Sequence, residues 1–287
     1  MLFAANVDLM PNETSSIVTA QAEDMEQTVL QLPVEFVGKL PSFDAITEIV
    51  VRLPDGLPGG DVWVSISLRG VASNRALVSI RSPGVTPLNL VFDGDSLTAA
   101  STYPTETARL IGLEPSLSLG QWNNAALSGQ TWTDMIARGP TAVDPLLVSG
   151  ERNVVIAWEY ANDLLGNDAG TSYYNMKTYC AARRAAGWTV IVFGALPRGT
   201  DPVFETQRQV VNTTMRAAFN VATPYSRVFK PAPGITYADM FVDNGADPTV
   251  GCRGCNVMPY FFDGVHLTPA GDRIIAAYVV NALRALP

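Results

Sequence analysis

The chain has 287 residues, 47% of them hydrophobic and 16% charged, a balance that supports a buried core and excludes extensive disorder. With 27 Asp and Glu against 19 Lys and Arg, the formal net charge is -8, which disfavours nucleic acid and anionic membrane surfaces, since both reward clustered cations. No apolar run approaches the ~20 residues of a membrane-spanning helix. The opening Met1-Leu2-Phe3-Ala4-Ala5-Asn6 lacks the basic n-region and long h-region of a complete signal peptide. A chain of this length holds one large or two modest domains.

In chain order, Ile46-Thr47-Glu48-Ile49-Val50-Val51 reads as a strand ended by Pro54-Asp55-Gly56. Val62, Val64, Ile66 and Leu68 then alternate with Trp63, Ser65, Ser67 and Arg69, the period of two of a half-buried strand. Gly70 and Ser73-Asn74 mark a turn, and Ala76-Leu77-Val78-Ser79-Ile80 is the next strand. Residues 1–84 therefore predict a small all-β sandwich. The Pro- and Gly-rich stretch Ser82-Pro83-Gly84-Val85-Thr86-Pro87 reads as a linker to a second domain, 85–287.

After the linker the pattern changes to alternating strands and helices. Leu88-Asn89-Leu90-Val91-Phe92 is a continuous run, as in a strand buried on both faces. Helix Thr105–Ile111, strand Ser118–Ala126, and a helix over Thr131–Arg138 with Thr131 and Asp134 in capping-box spacing follow. Strand Asn153–Trp158, helix Tyr173–Ala186 closed by Gly187, strand Thr189–Phe193, helix Pro202–Val221 and strand Ala238–Val242 come next. Thr268-Pro269 opens the last helix. The expected fold class is α/β, with about five parallel strands covered on both faces. Such sheets place their sites at the carboxyl ends of strands, and Ser96 falls just past the first strand of this domain.

The chain carries a single histidine, His266, three positions after Asp263 in Asp263-Gly264-Val265-His266-Leu267-Thr268-Pro269. A lone imidazole is the one good candidate for proton transfer near neutral pH. A serine hydroxyl becomes a useful nucleophile when such a base takes its proton and a third group orients the base. Ser96, in Asp93-Gly94-Asp95-Ser96-Leu97, His266 and Asp263 supply those three roles, and the chain reads as a serine hydrolase acting on an acyl ester. Of the three cysteines, Cys180 reads as a buried small hydrophobe, and Cys252-Arg253-Gly254-Cys255 as a short-range disulfide or two free thiols in the loop leading to Asp263. A structural zinc site needs about four ligands and is not expected.

Two resemblances attach to these residues. Ile49-Val50-Val51-Arg52-Leu53-Pro54, Leu57-Pro58-Gly59-Gly60-Asp61-Val62 and Gly70-Val71-Ala72-Ser73-Asn74 are similar to immunoglobulin-like modules of secreted bacterial proteins, which implies an accessory domain outside the cytoplasm. Residues from about 88 to 287 resemble the GDSL, or SGNH, hydrolase family, whose blocks stand here in order. They are Phe92-Asp93-Gly94-Asp95-Ser96-Leu97-Thr98, Asn124-Ala125-Ala126-Leu127-Ser128-Gly129, Tyr160-Ala161-Asn162-Asp163-Leu164 and the segment from Asp263 to Pro269. The resemblance implies a three-layer α/β/α, flavodoxin-like domain. Tyr160 departs from it, because the family usually has a small residue there, which puts the shape of that loop in question.

Ester hydrolysis passes through an oxyanion that needs preorganised donors. The expected donors are the Ser96 N–H, the Gly129 N–H and the Asn162 carboxamide; a backbone without a Cβ approaches a substrate closely, and a carboxamide donates at any pH. His266 is the expected base and then acid, with Asp263 fixing its tautomer. Asp95 is expected to stabilise the turn and Asp163 to anchor its loop. Asp239 is a rival orienter of His266. Trp122, Trp158 and Tyr160 either line an acyl pocket or fill the core.

A rival reading makes Asp93 the nucleophile and Asp95 the acid of a magnesium-dependent phosphatase, which needs a later lysine; only Lys177 and Lys230 follow. Two more readings compete: a carbohydrate-binding protein on a retired hydrolase fold, and an acyltransferase using the same site. The reading adopted is a secreted, cofactor-free esterase of short-chain carboxylic esters, with acetyl groups on polysaccharide as one substrate class. The sequence sets no oligomeric state.

Overall fold

The computed structural model describes residues 2–5, 7–24, 27–40, 43–54, 60–80, 85–219 and 227–286. Asp55-Gly56 of the first predicted turn, Leu57-Pro58-Gly59, the Ser82-Pro83-Gly84 half of the predicted linker and the end of the predicted helix at Val221 lie outside the described residues. Two compact units emerge: Met1–Val85 with Leu113–Ser116, and Thr86–Gly112 with Leu117–Pro287.

The first unit is all-β. Its strands are β1 (Leu2–Ala5), β2 (Val18–Asp24), β3 (Val29–Leu32), β4 (Val34–Leu40), β5 (Phe43–Val51), β6 (Gly60–Leu68), β7 (Val71–Ala72) and β8 (Ala76–Ile80). They form two antiparallel sheets, β1-β5-β4 and β3-β2-β6-β7 with β8 also on β6. The period of two decides the core. Val18, Ala20 and Ala22 of β2 and Val62, Val64 and Ile66 of β6 point inward with Ile49 of β5, in the register Ala20 to Ile66 and Ala22 to Val64. Arg69 and Gly70, at φ 52° and 81°, make the tight turn between β6 and β7.

The second unit is an α/β layer structure. Its strands are β9 (Leu88–Gly94), β10 (Leu119–Asn124), β11 (Arg152–Trp158), β12 (Thr189–Phe193), β13 (Val228–Phe229) and β14 (Met240–Val242). The sheet order is β10-β9-β11-β12-β14-β13. The first five in that order are parallel, and β13 runs antiparallel to β14. The expectation of about five strands thus needs a sixth, a two-residue edge strand too short to leave a periodic signal.

Its helices are α1 (Ser96–Ala99), α2 (Tyr103–Ile111), α3 (Trp132–Ala142), α4 (Asp163–Gly166), α5 (Ala169–Ala186), α6 (Pro202–Ala218) and α7 (Pro269–Ala285). Alternate residues of each strand feed separate cores. Leu88, Leu90, Phe92, Ile156 and Phe193 pack with Tyr103 of α2 and Ile275 and Val279 of α7. Val91, Val155, Val190 and Val192 pack with Met135 of α3, Met176 of α5 and Val211 of α6. The helix starts follow their caps: Thr131 and Asp134 form the reciprocal box at α3, and Thr268 caps α7 ahead of Pro269. Helix α5 begins at Ala169, earlier than predicted, because the Asp168 carboxylate accepts from Thr171 N at 2.8 Å and caps it there.

The chain leaves β9, makes β10 on one side, then crosses to β11 on the other. This is the point at which doubly wound sheets open a crevice at their carboxyl ends, and Ser96 lies on it.

Candidate active site

Strand β9 ends at Gly94, and a Cβ there would stand 2.1 Å from the Trp158 carbonyl oxygen of β11. Only glycine lets the two backbones close at this level. Asp95 caps the short α1, its Oδ1 accepting from Leu97 N at 2.8 Å, which is the turn-stabilising role expected of it. Burial pushes the Asp95 carboxyl up to about 6, although the Leu97 N–H and the charges of Arg198 and His266 pull it down. Ser96 opens α1, so its side chain stands at the end of the sheet.

Ser96 Oγ lies 2.9 Å from His266 Nε2. His266 Nδ1 lies 2.6 Å from Asp263 Oδ2. The other Asp263 oxygen, Oδ1, accepts from Val265 N at 2.9 Å and His266 N at 2.7 Å, folding the loop so that carboxylate and imidazole face each other. Gly264, at φ 82°, supplies the left-handed residue this tight loop requires. Slight burial raises the Asp263 carboxyl, but the His266 ring and those amides outweigh it and hold the group down at about 2. The Phe262 ring stacks on the imidazole with centroids 5.6 Å apart and planes at 19°.

Gly129, at φ 82°, lies in a loop held at the same strand end: Leu127 N donates to the Gly94 carbonyl at 3.0 Å, and Gln130 Nε2 donates to the same oxygen. Nothing lies within 4 Å of where a Gly129 Cβ would stand, so the requirement for glycine here is the backbone angle. Among the described residues, neither the Ser96 N–H nor the Gly129 N–H has an acceptor. Asn162 Nδ2 donates to Asp95 Oδ2 at 3.3 Å and to the Gln130 carbonyl at 3.2 Å. Those two acceptors belong to the residues next to Ser96 and Gly129, so the Asn162 carboxamide stands beside both backbone segments. Asn162 N is fixed in turn by Glu159 Oε1 at 2.8 Å. A cavity of about 280 Å³ opens beside Ser96 and His266, walled by Leu97, Ala100, Phe262 and Leu267.

Burial and contacts narrow the readings left open. Trp158 and Tyr160 are core, not pocket: each is 1% exposed. Trp122 packs edge-on against Phe92 at 6.1 Å. Tyr160 meets Trp132 of α3 at 5.4 Å in the core beneath α3 and α5, so its ring is directed away from the solvent. Asp93 is buried with β9's inner face toward α3 and α5, where it takes Tyr179 Oη at 2.6 Å, Gln130 Nε2 at 3.3 Å and the Arg138 guanidinium. A carboxylate so enclosed has no line of attack on a phosphate, which removes the support for Asp93 as nucleophile. Asp239 binds Arg184 and Val190 N at the amino end of β12, the wrong end of the sheet to orient His266. Asp163 anchors its loop as expected, accepting from Trp132 N at 3.2 Å. Cys252 and Cys255 form the disulfide, and Cys180 is wholly buried.

Sequence reasoning missed Gln130, Glu159, Arg198 and Phe262. Phe262, beside Asp263 in the same motif, and Glu159, three residues before Asn162 and accepting from its N–H, were within reach of that reasoning; Gln130 and Arg198 act through partners distant in the chain and carry no local signal.

No family model matches the chain, and no curated protein matches it in sequence. Among solved structures, an acetyl-xylooligosaccharide esterase of Geobacillus stearothermophilus is 14% identical, covering 69% of this chain and 95% of that one at a TM-score of 0.52. A Bacteroides fragilis protein assigned as an acylhydrolase is 18% identical, covering 68% and 86%, with a TM-score of 0.50. A GDSL-like lipase from Bacteroides thetaiotaomicron is 18% identical over 68% and 87%, with a TM-score of 0.48. The likeness to the first two is one of fold: a mixed α/β architecture around a largely parallel sheet, shared with hydrolases.

Proposed function

We propose that this protein is a serine esterase that hydrolyses short-chain, acetyl-type carboxylic esters. The observation that carries the reading is the unbroken line from Ser96 Oγ through His266 to Asp263, at 2.9 and 2.6 Å. His266 Nε2 takes the hydroxyl proton as Ser96 Oγ attacks the ester carbonyl, and Asp263 fixes the tautomer and stabilises the imidazolium. The oxyanion forms against the Ser96 and Gly129 amides and Asn162 Nδ2, which exchanges one of its two long hydrogen bonds, to Asp95 Oδ2 or the Gln130 carbonyl, for the new one. Collapse expels the alcohol with the proton from His266, and water then attacks the acyl-enzyme by the same route in reverse. No cofactor enters this scheme.

The cavity of about 280 Å³ suits a small acyl group. The fold likeness to an acetyl-xylooligosaccharide esterase supports sugar-borne acetyl esters as the substrate class. The Cys252–Cys255 disulfide supports an oxidising, extracytoplasmic compartment. In this reading the N-terminal β unit is an accessory module of immunoglobulin-like kind.

Hydrolysis of p-nitrophenyl acetate and butyrate by wild type and Ser96→Ala, with and without EDTA, tests the proposal. Loss of about 10⁴-fold or more in kcat on substitution is expected, with no effect of EDTA. Activity that survives in Ser96→Ala sinks the triad.

A further inference from the structure

Arg198 stands on the loop after β12, at the carboxyl end of the sheet. That loop is pinned on both sides: Ala195 N donates to Asn212 Oδ1 at 2.8 Å, and Gly199 N donates to the Gly264 carbonyl of the histidine loop at 2.9 Å. Asn256 Nδ2 adds bonds to the Gly199 and Gly264 carbonyls at 2.8 and 2.9 Å. From this fixed stem the guanidinium Nη1 donates to the Ala161 carbonyl and stands 3.4 Å from Asn162 Oδ1.

The Asn162 carboxamide therefore has a cation at its oxygen and acceptors, Asp95 Oδ2 and the Gln130 carbonyl, at its nitrogen. A carboxamide is nearly symmetric in shape, and its surroundings alone decide which end faces which way. With the guanidinium gone, the carboxamide oxygen loses its charged partner, and the Ala161–Asn162 backbone loses the bond at the Ala161 carbonyl, leaving the two long bonds at Nδ2 to hold the side chain. The same charge polarises the amide N–H outward, since linked hydrogen bonds strengthen one another at low dielectric.

We propose that Arg198 is a positioning residue for the oxyanion hole, holding Asn162 with Oδ1 toward the guanidinium and Nδ2 toward Ser96 and Gly129. The proposal rests on the serine-esterase reading above. Arg198 touches no reacting atom; it acts through Asn162. The loop that carries Arg198 also bonds the histidine loop, through Gly199 N to the Gly264 carbonyl, so both halves of the site share one anchoring segment.

The test is a double-mutant cycle on p-nitrophenyl acetate with wild type, Arg198→Met, Arg198→Lys, Asn162→Ala and the Arg198→Met/Asn162→Ala pair, with thermal midpoints for each. A hole donor is worth ~100–1000-fold in rate, and loss of its orientation is expected to take about 10- to 100-fold from kcat in Arg198→Met with KM nearly unchanged. Arg198→Lys, which keeps the charge, recovers part of that loss and guards against a folding defect. The pair is no slower than Asn162→Ala alone, because the second substitution has nothing left to orient. Full kcat in Arg198→Met, or losses that multiply in the pair, overturns the proposal while leaving the esterase intact. A wild type with no Ser96-dependent turnover overturns both.

Discussion

The serine and histidine sides of the site are built in opposite ways. Ser96 follows a strand with seven buried residues, behind a glycine that the neighbouring strand forbids from being anything else, and beside a wholly buried aspartate cap. Asp263 and His266 sit on a loop whose side chains are 41% and 32% exposed, shaped by hydrogen bonds within its own four residues. The nucleophile is placed by the sheet, the base by a turn that folds on its own hydrogen bonds and is tied to neighbouring loops through the Gly264 carbonyl. Damage on the first side should therefore spread into folding, whereas damage on the second should stay in the chemistry.

The sharpest test of that contrast is Asp263→Asn. It keeps the shape of the loop but leaves the wrong tautomer at His266, and kcat should fall by about 10⁴-fold, near 5.5 kcal/mol, with the thermal midpoint almost unmoved. A large drop in melting temperature would show that the loop depends on its carboxylate for more than chemistry. Gly94→Ala probes the other side. With a methyl group driven against the Trp158 carbonyl, the strands must part, and we expect about 3 kcal/mol of lost stability in chemical denaturation. Activity should fall with it.

A smaller effect separates the two aspartates by pH. Asp95 is raised to about 6 from its ordinary 3.8, so its burial penalises the ionised form. The stability tied to this group is whole below pH 4 and is lost as pH rises through 6. At 1.36 kcal/mol per unit this amounts to about 3 kcal/mol at most. Asp95→Asn keeps an N-cap acceptor for Leu97 N and removes the titration. The stability difference between variant and wild type should then shift in the variant's favour from pH 4 to 7; a flat difference would refute an ionising Asp95. Asp263 has the opposite sign. It is held down at about 2, and its exposed, screened contribution is lost only as pH falls below 4.

Much of this was legible in the residues alone. A single histidine leaves the serine no second base to choose, and the continuous run from Leu88 to Phe92 puts Ser96 at a strand end without any structure. The turn-stabilising part of Asp95 followed from its place in Gly94-Asp95-Ser96-Leu97, although not its helix-capping form. The aromatic residues were ambiguous because the period of two places a side chain on a face without saying what covers that face. Arg198 was invisible for a related reason. Its partner, Asn162, arrives through the strand order, and no spacing in the chain encodes which loops that order brings together. The edge strand β13 fell below any periodicity, since two residues cannot display a period.

The Phe262 ring lying nearly parallel to the only imidazole also gives the molecule a built-in spectroscopic reporter. Aromatic currents shield protons held over a ring face, so the carbon-bound protons of His266 should resonate upfield of an unstacked imidazole. With no other histidine in the chain, those signals need no assignment. They would register, in one spectrum, both the protonation of the base and any slip of the loop that carries it.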